Sequence, residues 1–390
     1  MLKRILLFFC VFILIISCTN NVNRSSKELF INAGEEPKTI DPTLSGNDFV
    51  YPRHVFETLI IKDKNGNLQG GACESWDISD DGLKYTFHLR ENAKWSDGLN
   101  VTANDFVYAL QRAANPASGA EYTSFIEYIK NAVKVLSSEL SVEELGVKAI
   151  DDYTLEITLE APTGYFLDIL TYPIFSPVRK DIIEKYGDKW SLSPESYIGN
   201  GAFIMTERNP DEKIVVVKNT NYWNSANIVP EKITFVMMKD ATLALAGIKE
   251  GVLDFSVNII EQDLEKLKEE GIVNIAPYFS TVAFGINATN EALKDVRIRK
   301  ALSLAIDRNY IVENVVPTAK SPTSAWVPVG AYDVRGDFRE NGGEYIDLSK
   351  EAYSNNVEMA KRLLAEAGYP NGENFPVLEY KTTSDLVYMQ

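Results

Sequence analysis

The 390-residue chain carries 39 Lys and Arg against 55 Asp and Glu, a formal net charge of −16, and 45% of its residues are apolar. This composition excludes a disordered chain and a coiled coil, and the length predicts two or three lobes with sizeable cores. Nucleic acid is bound through clustered cations that replace its counterions. Because the sequence contains no basic domain, we expect no nucleic-acid partner, and an acidic membrane surface is equally unattractive.

The first residues have the pattern of an export signal. Met1–Arg4 include two cations, and Ile5–Ile16 form a twelve-residue run without a polar side chain. A bilayer-spanning helix needs about 20 apolar residues, so this run predicts a signal peptide over residues 1–17 rather than a membrane span.

The end of this signal resembles the bacterial lipobox, in the residues Ile15-Ile16-Ser17-Cys18. The resemblance implies lipid attachment at Cys18, followed by a flexible leash over residues 18–26. The alternative is an ordinary signal cleaved after Ser17. Because Cys10 would leave with the signal and Cys18 would carry lipid, Cys73 would remain alone, and no internal disulfide is expected.

Strand patterns come next along the chain. Asn65-Gly66 and Asp81-Gly82 are typical of hairpin turns, and apolar residues alternate with polar ones after the second turn. The sequence therefore predicts a small antiparallel sheet, and two further patterns predict more strands: Leu155, Ile157 and Leu159 alternate, and Ile214–Val217 form a buried run.

Three helices have recognisable starts or apolar faces. Thr102 and Asp105 form a capping-box pattern, and Asp295 can cap a helix that carries Ile298 and Ala301 inward. A third helix is expected from about Asn356 to its stop at Gly368. Strands and helices recur throughout, so the predicted class is α/β.

The sequence contains few groups suited to catalysis. His54 and His88 are its only histidines, and we expect the first to be solvated or structural and the second to lie on the surface. His54 and Glu57 are too few ligands for zinc, and Cys73 has no nearby base. We therefore expect no enzyme, no cofactor and no metal.

A more specific pattern spans most of the chain after the leash. It resembles the extracellular solute-binding proteins of the peptide-import ABC class, and the oligopeptide-binding proteins most of all. The matching motifs are Ile40-Asp41-Pro42, Gly71–Asp77, Asp81–Arg90, Ala93–Gly98, Thr102–Phe106, Asn200–Phe203, Tyr222-Trp223, Asp295–Leu302, Leu363–Tyr369 and Thr383–Leu386.

The resemblance implies a two-lobed periplasmic-binding-protein-like fold of type II, peptide class, with an extra α/β lobe. Lobe I is expected at residues 27–56 and 180–279, lobe II at 57–179 and lobe III at 280–390. In relatives the third lobe continues further, so we expect it to be incomplete at Gln390 and the fragment alone to bind peptide weakly or not at all.

The resemblance also implies the site residues. A peptide would pair its main chain with Gly46, Asn47 and Asp48, a position given to within about two residues along the chain. Tyr122 would reach the ligand main chain, and Asn258 would line the site. For each of these residues the alternative is loop or capping chemistry.

The implied function is that of a lipid-anchored receptor that closes on short peptides and delivers them to an ABC permease. It would work as a monomer facing the periplasm or the cell exterior. The alternatives are a same-fold receptor for dipeptide, sugar, haem or nickel, and a surface adhesin or periplasmic chaperone.

Overall fold

The structure, a computed structural model, describes residues 25–45, 50–258, 260, 263–274, 279–315, 320–333 and 336–381. Its contacts divide the chain into two compact units, residues 1–259 and 260–390. The expected bounds of lobes I, II and III remain a prediction.

A mixed five-stranded sheet in the first unit has the strand order β11-β1-β10-β9-β8. Strand β1 runs parallel to both β10 and β11, whereas β9 is antiparallel to β10 and to β8. The predicted run Ile214–Val217 lies within β9, where Ile214, Val215 and Val216 are buried. The strands are β1 Glu28–Asn32, β8 Phe203–Asn209, β9 Lys213–Lys218, β10 Lys232–Val236 and β11 Phe255–Ser256.

The predicted antiparallel sheet is confirmed as four strands in the order β4-β5-β7-β6. Tyr85, Phe87 and Leu89 of β5 are all buried, as their alternation requires, and Gly82 turns the chain with φ of +68°. The strands are β4 Cys73–Ile78, β5 Lys84–Leu89, β6 Val147–Asp151 and β7 Thr154–Thr158. The other predicted hairpin joins β2 Ile60–Lys62 to β3 Leu68–Gly70.

The first unit also contains the predicted capped helix, α2. The Thr102 N–H and hydroxyl both donate to Asp105 Oδ2, at 2.8 and 3.0 Å, so the capping box is confirmed. The α-helices of this unit are α1 Pro52–Val55, α2 Ala103–Ala114, α3 Ala132–Leu136, α4 Phe166–Ile169, α5 Lys180–Tyr186 and α6 Ala241–Lys249.

In the second unit, α8 and α11 pack against each other through Ala301, Leu304 and Ala360. Asp295 caps α8 as predicted, accepting a hydrogen bond from the Arg297 N–H. The α-helices are α7 Leu264–Glu269, α8 Val296–Ala305, α9 Arg308–Tyr310, α10 Phe338–Gly342 and α11 Tyr353–Glu366; Ile311–Val315 is a π-helix, and β12 Tyr332–Asp333 pairs with β13 Gly336–Asp337.

Strands and helices alternate in this way along the described chain, so the α/β class is confirmed. Across the described residues, none of the helices combines the length and apolarity that crossing a membrane requires.

Candidate functional site

The segment Ile40–Ser45 is held in place by the buried carboxylate of Asp41, which is 2% exposed. Arg112 donates to both carboxylate oxygens, at 3.1 and 2.6 Å, and Trp190 Nε1 donates to Oδ2 at 2.9 Å. The Thr43 N–H donates to Oδ1 at 2.9 Å. Because these four bonds come from α2, from Trp190 and from the segment itself, Asp41 fixes the chain directly before residues 46–48.

A small, open recess lies against this segment, with room for about one water molecule. One wall is a row of aromatic rings: Tyr122 stacks on Phe125 at 5.5 Å between ring centroids, and Phe125 lies 4.5 Å from Tyr172. The described residues that line it are Pro42, Thr43, Ser45, Tyr122, Phe125, Tyr172 and Ile174. The predicted site residue Tyr122 is therefore beside the segment that leads into the predicted pairing edge.

Thr43 places a buried hydroxyl in this lining. The residue is 3% exposed, and its Oγ1 has no hydrogen-bond partner among the residues that the structure describes. Ser45, by contrast, has its hydroxyl 3.4 Å from the Pro42 carbonyl, to which it donates. Sequence reasoning missed Thr43, because its lack of a partner follows from packing that no local pattern reports.

Asn258, another predicted site residue, lies at the carboxyl ends of the parallel strands. Its side-chain amide donates to the carbonyls of Met238 and Lys239, at 2.9 and 3.3 Å. The buried amide of Asn32 donates to the same Met238 carbonyl at 3.0 Å. Ligands of open α/β sheets bind beyond the carboxyl ends of strands, so the position suits a site residue, although these contacts also fit a structural role.

Tyr122 and Asn258 thus belong to two different sets of contacts. The remaining predicted residues, Gly46, Asn47, Asp48 and the lipid-attachment residue Cys18, lie outside the described residues. The ligand-binding roles of all of these residues remain predictions.

A second buried carboxylate, that of Glu57, connects distant parts of the first unit. Tyr222 donates its hydroxyl to Glu57 Oε1, and Trp223 Nε1 donates to Oε2 at 2.7 Å. The Arg90 guanidinium lies 3.8 Å from the centre of the Trp223 ring. Asn200 completes the connection by exchanging two 2.9 Å hydrogen bonds with the Glu57 backbone.

Burial raises the pKa of Glu57 to about 7, against hydrogen bonds from Tyr222 and Trp223 and the charge of Arg90, which lower it. A carboxyl group whose folded-state pKa is raised binds more protons in the folded protein than in the unfolded one. Its stabilising contribution is therefore complete below its unfolded value of 4.5 and is lost as the pH rises through about 7.

The two histidines and Cys73 have the following surroundings in the described part of the chain. His54 is structural: its Nδ1 is 2.6 Å from the Val50 carbonyl, and its ring packs 5.1 Å from that of Phe235. His88 is partly exposed and lies 2.8 Å from Asp77. Burial raises the pKa of Cys73 to about 12, and no cluster of metal-ligating side chains occurs among the described residues.

The family model described as bacterial extracellular solute-binding proteins, family 5 Middle, matches residues 67–389. The chain belongs to this family. The resemblance to extracellular solute-binding proteins is thereby confirmed.

Individual relatives agree with the family. The periplasmic oligopeptide-binding protein OppA of Escherichia coli is 36% identical over 91% of this chain and 65% of its own length. Solved structures of OppA from Burkholderia pseudomallei (TM-score 0.76, 29% identical) and of Haemophilus influenzae OppA in complex with RPPGFSPFR (TM-score 0.75, 33% identical) each cover 89% of this chain. The match covers 68% of the first of these structures and 67% of the second.

These likenesses confirm the expected type II fold. The chain spans about two thirds of the length of the relatives it matches, 65% in the case of the Escherichia coli protein.

Proposed function

We propose that the protein is the substrate-binding receptor of an ABC importer and that its ligands are short peptides. The observation that carries this proposal is the 36% identity, over 91% of this chain, to a periplasmic oligopeptide-binding protein. Further support comes from the related structure solved with the peptide RPPGFSPFR.

The binding mode follows from the chemistry of a peptide. Its main-chain N–H and C=O groups cost several kcal/mol each to bury unpaired, so a receptor that tolerates many sequences pairs them along a strand-like edge. In our proposal this edge is Gly46-Asn47-Asp48, which directly follows the segment anchored by Asp41. Tyr122 contacts the ligand main chain, and Asn258 lines the site.

Closure of lobes I and II with lobe III, by a hinge motion, encloses the peptide and presents it to the permease. The lobe bounds are those expected from the sequence: residues 27–56 and 180–279 for lobe I, 57–179 for lobe II and 280–390 for lobe III. The receptor acts as a monomer and carries out no bond-breaking step, so it needs no cofactor and no metal.

The proposed location is outside the cytoplasm, with Cys18 acylated and the body held at the cell membrane, facing the periplasm or the cell exterior. The variant Cys18→Ser tests the lipid anchor. We expect the protein to leave the membrane fraction and to lose incorporation of labelled palmitate; retention of both would contradict the proposal.

Isothermal titration with a mixed set of tripeptides tests the function, using the protein as its own cells produce it. We expect saturable binding at about micromolar Kd or tighter, near −8 kcal/mol, with every peptide recovered intact. Hydrolysis of the peptides, or the absence of any binding, would refute the proposal. Binding of unfolded protein that free tripeptide does not displace would instead support the adhesin or chaperone alternative.

A further inference from the structure

The carboxyl ends of β1, β10 and β11 are joined by the side chain of Asn32, the fully buried last residue of β1. Its Nδ2 donates to the Met238 carbonyl at 3.0 Å and to Ser256 Oγ at 3.1 Å. Its Oδ1 accepts from the N–H groups of Gly34 and Met238, at 3.1 and 3.0 Å. An amide side chain can donate two hydrogen bonds and accept two, so Asn32 uses its whole capacity to hold the three strand ends together.

Ser256, in β11, carries this connection on to Asn258. The Ser256 hydroxyl accepts the bond from Asn32 and a second one, of 3.1 Å, from the Asn258 N–H. It also donates to the Asn258 carbonyl at 3.0 Å. A hydroxyl can donate one bond and accept two, so all of its capacity is used as well. One hydroxyl therefore fixes both backbone polar groups of Asn258.

The Asn258 side chain is oriented by the same contacts. Its Nδ2 donates to the Met238 and Lys239 carbonyls, at 2.9 and 3.3 Å, and Met238 is the residue that Asn32 holds by both backbone groups. Among the described residues, none donates a hydrogen bond to Asn258 Oδ1. Gly34 lies beside this oxygen, where even a Cβ would approach it to 3.4 Å, and has no side chain to cover it. The amide oxygen is thus the atom of Asn258 left to a ligand.

We propose that Ser256, itself held by Asn32, is a positioning residue of the peptide site. It holds Asn258 so that Oδ1 accepts a hydrogen bond from a main-chain N–H of the bound peptide, a group that is costly to bury unpaired. Ser256 acts through Asn258 without touching the peptide. This inference rests on the proposed function, in which Asn258 lines the site, and it identifies the atom that meets the ligand and the residue that fixes it.

The variant Ser256→Ala removes the hydroxyl and leaves the bonds of Asn32 to Gly34 and Met238 in place. The test is isothermal titration with trialanine, using the protein as its own cells produce it. We expect the affinity to fall about three- to tenfold, the change typical of one net hydrogen bond. Ser256→Thr keeps the hydroxyl and should bind within about twofold of the wild type.

A double-variant cycle distinguishes positioning from a structural role. Asn258→Ala should also weaken trialanine binding about three- to tenfold, and adding Ser256→Ala to it should change the affinity by less than about twofold more, because the residue through which Ser256 acts is gone. A structural role would instead lower the unfolding temperature and leave the affinity unchanged, or weaken binding by the same factor with and without Asn258.

Ester analogues of trialanine identify the ligand donor. In each analogue an ester oxygen replaces one amide N–H, so that a single donor is lost. One analogue should bind the wild type at least about threefold more weakly than trialanine does, and this ratio should fall to within about twofold in Asn258→Ala.

Ser79→Ala is the matched control. The Ser79 hydroxyl likewise accepts from a backbone N–H, that of Lys84 at 2.9 Å, and donates to a neighbouring oxygen, Asp81 Oδ1. It lies at the turn between β4 and β5, in the other sheet of the first unit. This variant should lose thermal stability to about the same extent as Ser256→Ala and keep the wild-type affinity for trialanine.

The outcomes separate this inference from the function on which it rests. If trialanine binds the wild type and Ser256→Ala equally well, if the losses of Ser256→Ala and Asn258→Ala multiply in the double variant, or if no ester analogue discriminates, the inference is refuted and the receptor function stands. If neither trialanine nor any of the mixed tripeptides binds the wild type, the proposed function fails and this inference fails with it.

Discussion

Loss of Arg112 should destabilise the first unit far more than loss of an exposed cation. In Arg112→Met, the Asp41 carboxylate stays buried but loses its two guanidinium bonds, keeping those from Trp190 and the Thr43 N–H. Breaking a buried pair costs about 3–5 kcal/mol, and because two donors remain we expect about 3 kcal/mol. Lys62→Met is the matched control, since Lys62 pairs with Asp168 at 2.8 Å with both side chains about half exposed, and should cost less than about 1 kcal/mol.

Urea unfolding followed by tryptophan fluorescence measures this difference. Four of the five tryptophans, at positions 76, 95, 190 and 223, lie in the first unit, so the signal reports mainly on it. With a slope of about 1–3 kcal/mol per molar urea, the midpoint should fall by about 1–3 M in Arg112→Met. Combining this change with Asp41→Asn removes the unpaired charge and should recover part of the loss. A midpoint shift no larger than that of Lys62→Met would refute the reasoning.

Three further experiments test other features of the first unit. From pH 4.5 to about pH 7, the free energy of unfolding of the wild type should fall by about 3 kcal/mol more than that of Glu57→Gln, which has no carboxyl group to titrate. Urea unfolding at each pH measures both variants. If the two plots of unfolding free energy against pH run parallel, the raised pKa of Glu57 is contradicted. Gly199→Ala should cost about 3 kcal/mol in the free energy of unfolding, measured by thermal unfolding, because its Cβ would lie 2.1 Å from the Val55 carbonyl oxygen. Gly164→Ala is the control and should cost less than about 0.5 kcal/mol, because apart from its chain neighbours no described residue has an atom within 4 Å of the new Cβ. Cys73, with a pKa of about 12, should resist iodoacetamide at pH 8 in the native protein and react fully in urea, as mass spectrometry of its peptide would show.

The sequence predicts those parts of the fold whose causes are local. Asp81-Gly82 and Asn65-Gly66 specify their turns through a few neighbouring residues, and the Thr102 capping box closes within three residues. The least accurate boundary is that of α11, which begins at Tyr353 rather than near Asn356, because no side chain caps its start.

The interactions that position the site could not be predicted, because they join residues far apart in sequence. Asp41 and Arg112 are 71 positions apart, and Glu57 and Tyr222 are 165 apart. The Asp41 carboxylate belongs to the motif Ile40-Asp41-Pro42, and the Glu57 carboxylate accepts hydrogen bonds from the motif Tyr222-Trp223. Only the folded chain shows their partners, and only packing shows that the Thr43 hydroxyl has none within the described part of the chain.

Native mass spectrometry of the protein purified from its own cells tests the peptide-receptor account most directly, since any bound ligand is weighed together with its carrier. The account predicts a heterogeneous set of copurified masses that fragment as short peptides and are released when the protein is unfolded. A spectrum with no bound ligand, or with one uniform ligand that is not a peptide, would contradict it.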